Sequence, residues 1–425
     1  MRKGTCVGHV VNPEREYRLL RQQMDHNVSG VPETPTILKI LKLLYSPEEA
    51  ELARQLPTRP VALPELARRV GMPEDELRDK MTDLARRGLA LDVEKKGQCY
   101  YALPPVLGGI FEFVFMRPRD DFPMEELARL FDEYMNREEA FSLAAYAGET
   151  QFARAFVHEE AVLEGDHTEI LDWERVSKII ETASCISIAL CPCRHKNGHL
   201  GKACDAPQRT CISLNGGAEM MIHSGISERI DAREALRIVD ECKSAGLAQC
   251  GDNVKRGVTF ICNCCGCCCT MVQAIRTFNL GHAIVSSNWI AEGDSRECTG
   301  CGRCAGACPA AAIAMQDGSG RRYPLLDESL CLGCGVCSTT CKSGAIRMKA
   351  RDRRVFTPET AFDKTVRMAI ERGNLADLLF EDPERHSHRA LARILRILEK
   401  TPPWKAAMAV KPLRSAFLNA MLKRQ

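Results

Sequence analysis

The sequence lacks several features that would assign it to a common class of protein. No apolar run reaches roughly 18 residues, the length that a membrane-spanning helix needs, and no apolar stretch follows the first charged residues as in a secretory signal. The patterns GxGxxG, GxxxxGK[ST] and GxSxG are absent. The net charge is only +2, so no overall field favours nucleic acid or acidic lipid. We therefore expect a cytoplasmic protein without a nicotinamide or flavin site of its own.

Cysteine is the residue that the sequence has in excess, with 23 in 425 residues. A reducing cytosol does not favour a disulfide framework, and most of these cysteines are clustered. Clustered cysteines in such a compartment indicate metal or iron-sulfur ligation.

The strongest pattern is an internal repeat in which two cysteine motifs follow each other with an offset of 33 residues. Each motif has the spacing CxxCxxCxxxC, and Pro309 follows the first. In this spacing three thiolates hold one [4Fe-4S] cluster and the fourth reaches the other. The predicted ligands are Cys298, Cys301, Cys304 and Cys341 for one cluster, and Cys331, Cys334, Cys337 and Cys308 for the second.

Residues 296–348 resemble a bacterial two-cluster ferredoxin domain, which implies a compact fold with pseudo-twofold symmetry. Lys342 departs from the pattern, because proline usually follows the last cysteine of the motif. All eight ligands remain, so this departure concerns the geometry of the loop. The alternative is a pair of zinc sites.

A second group of cysteines precedes the repeat. Its ten members are Cys191, Cys193, Cys204, Cys211, Cys262, Cys264, Cys265, Cys267, Cys268 and Cys269. Successive side chains of an extended segment point to opposite faces, so the run from 262 to 269 needs a tight turn, which Gly266 could supply. Three alternatives stay open: one or two further iron-sulfur clusters, a zinc site that uses His195 or His199, or unligated thiols. The other five cysteines are expected to be structural: Cys6, Cys99, Cys185, Cys242 and Cys250.

The segments CPCRH and CNCCGCCC, placed before the repeat, give the chain a wider resemblance. Over residues 30–350 it looks like larger multidomain 4Fe-4S ferredoxin-type proteins of anaerobes. The resemblance implies an electron carrier or an oxidoreductase subunit and identifies no substrate.

The N-terminal part shows three helical patterns and a hairpin between Thr34 and Tyr101, an order that resembles a winged-helix domain. The third helix begins with Glu74, Asp75 and Glu76, and residues 64–97 hold equal numbers of acids and bases. Binding of the DNA backbone normally needs a basic face. We therefore expect protein docking or a scaffold role here and do not expect DNA binding.

These patterns predict an α+β multidomain protein. The predicted parts are an N-terminal extension (1–33), a winged-helix-like domain (34–116), a helical connector (117–170), a cysteine-rich α/β domain (171–295), a two-cluster ferredoxin domain (296–349) and a basic helical tail (350–425). Within them, Phe111, Phe113 and Phe115 are predicted to lie on an extended stretch, and residues 124–156 to be helical. The middle domain is predicted to contain helices at 173–183 and 227–245, strands at 186–190, 258–261 and 283–286, and a turn at Gly216-Gly217.

The basic tail carries an apolar stripe between residues 387 and 400. Leu391, Ile394, Leu395 and Leu398 form the stripe, with Arg389, Arg393, Arg396 and Lys400 beside it and Trp404 nearby. Packing on the protein's own domains is the favoured interpretation. Docking on a partner or peripheral contact with the inner face of the membrane is the alternative.

Together these observations predict an iron-sulfur electron-transfer protein or oxidoreductase subunit of anaerobic, low-potential metabolism. Two [4Fe-4S] clusters and one or two additional clusters would relay single electrons between redox partner proteins. The alternatives are a redox-sensing transcriptional regulator and a cluster-dependent reductase of a small substrate. The pattern identifies no catalytic residue, and self-association of the chain stays open.

Overall fold

The computed structural model describes residues 14–146, 148–162, 170–318, 321–379, 386–399 and 401–402. These residues form both helices and antiparallel sheets, as the α+β class predicts. The domain boundaries given above stay predictions.

The N-terminal region has its hairpin where the sequence predicts it and four helices where three helical patterns are predicted, whereas a helix at 15–24 and a strand at 61–62 were not predicted. Its elements are α1 (Arg15–Met24), α2 (Pro35–Leu44), α3 (Pro47–Ala53), β1 (Val61–Ala62), α4 (Leu63–Val70), α5 (Glu74–Arg87), β2 (Leu91–Lys95) and β3 (Gln98–Ala102). Ser46 and Glu49 form a capping box that fixes the start of α3. The strands form an antiparallel sheet in the order β1-β3-β2. The three acids of the first turn of α5 are exposed, so this helix presents negative charge.

The prediction of an extended stretch at Phe111 to Phe115 was wrong, because these residues form a short helix. The elements here are α6 (Phe111–Phe115), α7 (Met124–Asn136) and α8 (Glu139–Ala145). Phe111 and Phe115 are four residues apart and share one helix face, where both rings lie against Phe131 of α7 at centroid distances of 5.4 and 5.9 Å. Phe113 points into a second core. Because α6 is buried on two sides, apolar residues occur at every second position, which is the sequence pattern of a strand.

The centre of the molecule is a six-stranded sheet with helices on both faces. Its region contains β4 (Ala153–Ala155), α9 (Val176–Glu181), β5 (Ile186–Leu190), α10 (Pro192–His199), β6 (Arg209–Leu214), α11 (Asn215–His223), β7 (Glu228–Arg229), α12 (Ala232–Ser244), β8 (Ala248–Asp252), β9 (Phe260–Cys264) and α13 (Thr270–Phe278). The strand order is β4-β8-β9-β6-β5-β7, and every neighbouring pair is antiparallel.

The two faces of this sheet follow from the alternation of side chains along each strand. Ile186 and Ile188 of β5 pack in one core with residues of α9 and α12. Ala189 points to the other face, where it packs with Phe113 of α6 and Met221 of α11. The sheet is therefore buried between two helical layers.

Several predicted elements of the middle region differ in the structure. The glycine pair at 216–217 lies inside α11 and is not a turn. A Cβ on Gly217 would lie 3.1 Å from the carbonyl oxygen of Thr259, so a small residue lets α11 approach the neighbouring chain. Residues 283–286 contribute a single isolated bridge, Val285 to Arg154, because β4 is too short to extend the pairing. Helices were predicted over residues 124–156, but the last helix of this range ends at Ala145, and residues 153–155 form β4.

The cysteine repeat at residues 298–341 folds into two equivalent halves. Its elements are β10 (Trp289–Gly293), α14 (Arg303–Ala307), β11 (Ile313–Asp317), β12 (Arg322–Leu326), α15 (Val336–Thr340) and β13 (Ile346–Ala350). Strands β10 and β13 pair, as do β11 and β12, all antiparallel. Each of the two short helices follows a glycine with positive φ, Gly302 at 73° and Gly335 at 85°.

The C-terminal region contains α16 (Ala361–Arg372), α17 (Leu375–Leu379) and α18 (His386–Glu399). Lys364 of α16 forms a buried ion pair with Asp252 at the end of β8, which fixes α16 to the central sheet. Ala392 and Leu395 of α18 pack in one core with α17, whereas Leu391 and Ile394 are exposed. Among the described residues no helix is long and apolar enough to cross a membrane. Lys400 and Trp404 lie outside the described residues.

Candidate metal centres

The cysteine repeat encloses two sites, and each is lined by four cysteines drawn from both motifs. The outer set consists of Cys298, Cys301, Cys304 and Cys341. The inner set consists of Cys308, Cys331, Cys334 and Cys337. Cys301 is exposed, whereas Cys334 and Cys337 are buried, which is the reason for the two names. The structure thus brings together the two groups of four that the spacing predicts.

The backbone around these sulfurs is suited to negatively charged ligands. The amide of Gly300 donates to Cys298 Sγ at 3.4 Å, and the amide of Ala312 donates to Cys308 Sγ at 3.3 Å. Such amide donors stabilise sulfur that carries charge, as in iron-sulfur sites. Gly333 has a φ of 67° and lies so close to the Trp289 carbonyl that a Cβ would not fit. Donor chemistry and close backbone approach both fit [4Fe-4S] clusters.

Residues 297–354 match the family of 4Fe-4S dicluster domains. This region is a ferredoxin-type 4Fe-4S domain, and we call it the ferredoxin domain. A domain of this type in a chain with 23 cysteines indicates an iron-sulfur electron-transfer function. No curated protein and no solved structure matches the chain. The winged-helix resemblance and the wider resemblance over residues 30–350 stay predictions.

The ten cysteines predicted as ligands outside the ferredoxin domain do not form one site. The strands bring several of them to one face of the central sheet. Cys262 pairs with Cys250 across β8 and β9, and Cys211 of β6 follows on the next strand. Because side chains alternate along a strand, Cys262 and Cys264 share a face that Ile261 does not. This face looks towards α6 and α13.

Two helix starts complete this first group. Cys191 is the N-cap of α10, and Cys269 is the N-cap of α13. The pKa of each is raised, first by the hydrogen bond that it shares with Cys193, so both are protonated donors. With the strand residues they form the cavity set, which surrounds a cavity of about 210 Å³: Cys191, Cys193, Cys211, Cys262, Cys264 and Cys269.

Two thiols of the cavity set are stabilised as thiolates. The pKa of Cys193 lies well below its usual value because Cys191 and Cys269 donate hydrogen bonds to its sulfur. The pKa of Cys262 is lowered in the same way by Cys211 and Cys264. The thiolate is the form of cysteine that binds metal. Two of the six sulfurs are therefore in the form that binds metal, and the four thiols that donate to them keep their protons.

The remaining wall of the cavity combines aromatic side chains with polar ones, among them one acid. Phe111, Phe152 and Phe260 line it, and Glu112 of α6 points into the same space. The Glu112 carboxyl accepts hydrogen bonds from the amides of Gly108 and Gly109 at 2.8 and 2.9 Å. Burial raises the pKa of Glu112 to about 8, so this carboxyl is protonated at neutral pH.

The other predicted cysteines form a second, smaller group beyond the C-terminal end of β9. The chain turns at Gly266, and the cysteines at 265, 267 and 268 there lie close to a cysteine of the loop that follows α10. We call this group the surface set: Cys204, Cys265, Cys267 and Cys268. Their four sulfurs all lie within 4.8 Å of one another, and Cys267 is exposed. Gly266 thus provides the turn that the sequence predicts, and the turn divides the run between two sites.

Arg194 of α10 lies between the two sets. Its side chain is fully buried and donates to the carbonyl of Asn263 at 3.0 Å, to the hydroxyl of Thr210 and to Cys265 Sγ at 3.9 Å. The part of the chain that the structure describes offers this guanidinium no carboxylate. A buried cation needs an anionic partner. The thiolate of Cys265 supplies that charge, because a hydrogen bond from Cys268 and the Arg194 guanidinium lower the pKa of this thiol.

The zinc alternative that uses a histidine is not supported by the geometry. His195 Nδ1 lies 2.7 Å from the carbonyl oxygen of Phe115, and the ring of His199 lies near both Phe115 and His195. Among the described residues neither histidine belongs to a group of metal-ligand geometry. The rings of both histidines lie against Phe115 of α6.

One cysteine expected to be structural lies beside the cavity set. The thiol of Cys250 hydrogen-bonds with Cys264, whose pKa it helps to raise. Its position on β8, opposite Cys262, could have been found only from the strand register. Three other cysteines expected to be structural belong to none of the four sets in the described structure: Cys99, Cys185 and Cys242. Cys6 lies outside the described residues. Arg194 and Glu112 were also missed as parts of the site, because only tertiary contacts bring them there.

The ferredoxin domain and the cavity set contribute to one apolar core. Cys334 belongs to the same apolar core as Cys250, Cys264 and Cys269. The amide of His158 donates to the Cys334 carbonyl at 2.9 Å, and the His158 ring lies 3.0 Å from the Leu247 carbonyl beside β8. The inner set is therefore the part of the ferredoxin domain that faces the middle region.

Proposed function

We propose that this protein transfers single electrons through three iron-sulfur sites that follow one another from its surface to its interior. The outer set and the inner set each hold one [4Fe-4S] cluster, and the cavity set supplies the ligands of a third. When bound, such a cluster accepts and releases one electron at a time.

The order of the three sets carries the proposal. Cys304 of the outer set packs in a core that also contains Cys337 of the inner set. Cys334 of the inner set packs in the core that contains Cys264 and Cys269 of the cavity set. The inner set is thus the link between the other two, as a relay requires.

The protein residues have two tasks in this relay. Thiolates hold the metal, and amides such as those of Gly300 and Ala312 stabilise the negative charge on sulfur. The apolar cores around Cys334 and Cys264 keep water away from the inner end. At the outer end Cys301 is exposed, so a redox partner protein approaches most closely there.

Iron and acid-labile sulfide per chain, measured on protein purified without oxygen, test the number of sites. We expect about twelve iron and about twelve sulfide, four of each for every cluster. Dithionite should reduce the protein, and the reduced protein should pass electrons to an external acceptor. Failure of reduction or of electron transfer would contradict the proposal.

Serine variants assign the third site. Cys264→Ser should remove about four of the iron atoms and leave the signals of the ferredoxin domain in electron paramagnetic resonance. Cys185→Ser is the matched control, because Cys185 is also buried but belongs to none of the four cysteine sets. A wild-type protein with about eight iron, unchanged by Cys264→Ser, would confine the clusters to the ferredoxin domain.

One observation favours a second candidate function, the reduction of a small molecule inside the cavity. Besides the sulfurs, the aromatic rings of Phe152 and Phe260 line the cavity. A relay does not require an aromatic wall of this kind. If the cavity is a substrate site, Phe260→Trp should narrow it and slow oxidation of the reduced protein by a small disulfide at least about tenfold, which is about 1.4 kcal/mol in the barrier. Equal oxidation rates of the variant and the wild-type protein would exclude the cavity as a substrate site and leave the relay as the proposed function.

A further inference from the structure

The surface set has the dimensions of a site for a single metal ion. Cys267 and Cys268 have sulfurs 3.7 Å apart, and Cys268 and Cys204 have sulfurs 3.9 Å apart. A tetrahedral zinc ion with Zn–S distances of about 2.3 Å places its sulfur ligands about 3.8 Å from one another. The spacing is therefore that of a tetrahedral tetrathiolate.

The ferredoxin sets provide an internal comparison. Among the described residues, the four sulfurs of the surface set are within 4.8 Å of one another, and neither the outer nor the inner set forms a group of that tightness. A [4Fe-4S] cluster separates its ligand sulfurs further, because the metal and sulfide atoms of the cluster lie between them. The surface set thus differs from the cluster sites in this same chain.

A buried cation lies beside one sulfur of the surface set. The guanidinium of Arg194 donates to Cys265 Sγ at 3.9 Å, and a neighbouring positive charge favours the thiolate, which is the form of cysteine that binds metal.

The loop that presents these sulfurs is held in place by side chains of α13. Gln273 Nε2 donates to the carbonyl oxygens of Gly266 and Cys267 at 2.7 and 3.1 Å. Arg276 donates to the carbonyl of Gly266 at 2.9 Å. Such contacts orient metal ligands before the ion binds.

The same loop contacts the ferredoxin domain. A Cβ on Gly266 would lie 2.8 Å from the carbonyl oxygen of Pro309, the residue after Cys308 of the inner set. A metal that fixes this loop therefore supports the wall of the inner set. Zinc suits that task, because it has no redox chemistry and forms closed sites with four cysteines.

We infer that Cys204, Cys265, Cys267 and Cys268 bind one zinc ion, which fixes the loop at Gly266 against the ferredoxin domain and takes no part in electron transfer. The inference does not depend on the proposed relay, since it rests on sulfur geometry and on the loop contacts.

The test is elemental analysis and zinc X-ray absorption of the full-length protein, produced with both iron and zinc in the medium. We expect about one zinc per chain with four sulfur neighbours at about 2.3 Å. Cys204→Ser and Cys267→Ser should each reduce zinc below about 0.2 per chain and leave iron unchanged. The control is Cys99→Ser, because Cys99 lies outside all four cysteine sets; this variant should retain zinc and iron.

Three outcomes would overturn the inference. Wild-type protein without zinc would do so, as would zinc that remains in both serine variants. Loss of about four iron from Cys267→Ser would assign these residues to a cluster. If the variants do not fold, the number of sulfur neighbours around zinc in the wild-type protein still decides. The iron count of the same samples tests the relay separately.

Discussion

The two cysteine-rich regions of this chain build their sites in different ways. In the ferredoxin domain, three ligands of each set lie within seven consecutive residues, as Cys298 to Cys304 show. In the middle region, the cavity set draws on strands β6 and β9 and on the starts of α10 and α13. The first kind of site depends on local turns. The second depends on the whole central sheet.

This difference determines which contacts each site needs. A local loop carries its own glycines and amide donors, so distant changes should affect it little. The cavity set and the surface set share the buried Arg194 and rest on a sheet that α16 holds from outside. Variants remote in sequence should therefore separate the two regions.

The largest effect is expected for Arg194→Leu. The change leaves the thiolate of Cys265 without its buried counter-charge, and breaking a buried pair costs about 3–5 kcal/mol. Iron and zinc analysis should show loss of metal from both middle sites and about eight iron retained. Arg194→Lys keeps the charge and should lose less. Full metal content in Arg194→Leu would contradict the shared role of this residue.

Lys364→Met should act on the middle region from a distance. It leaves Asp252 buried and unpaired at the end of β8, two residues from Cys250, at a cost of about 3–5 kcal/mol in the free energy of unfolding. Lys255→Met is the control, because its pair with Glu359 is partly exposed and contributes about 0–1 kcal/mol. Urea unfolding compares the two. Equal losses would mean that α16 does not support the sheet through this pair.

A smaller effect, within the ferredoxin domain, is expected for Gly333→Ala. Both Gly333 and Gly344 have positive φ, so alanine costs roughly 1–2 kcal/mol at either position. At Gly333 the new Cβ also meets the Trp289 carbonyl, whereas at Gly344 it meets open space. The signal of the inner cluster in electron paramagnetic resonance should change in Gly333→Ala and remain in Gly344→Ala. Identical spectra would show that the local loop tolerates the contact.

The smallest effect concerns the order of iron loss within the ferredoxin domain. Cys301 of the outer set is exposed, whereas Cys334 and Cys337 are buried. A ferrous chelator should therefore remove iron from the outer set a few times faster than from the inner set. The decay of each cluster signal in electron paramagnetic resonance measures the two rates. Simultaneous decay would mean that the two sets open together.

The sequence predicted much of the local structure. The helices and hairpin between Thr34 and Tyr101, the strand at β5 and the two halves of the cysteine repeat appear where the patterns place them. These segments have clear caps, turns or spacing. The stretch at Phe111 to Phe115 failed, because burial on both sides of a short helix removes the helical period.

The middle site shows where prediction from sequence ends. The ten cysteines were predicted as ligands, but their division between two sets depends on the turn at Gly266 and on the register between β8 and β9. Cys250 was assigned to the scaffold because it stands alone in the sequence. Its place beside Cys264 exists only once the strands pair.

By itself, the sequence determined the ferredoxin domain, since seven residues suffice to place three thiolates around one cluster. For the middle cysteines it predicted metal chemistry. Tertiary structure alone decided which of them meet, because antiparallel pairing and helix packing join residues that are 60 or more positions apart, as Cys204 and Cys268 are. It also placed Arg194 between the two sets, where a buried positive charge is stable only beside thiolates.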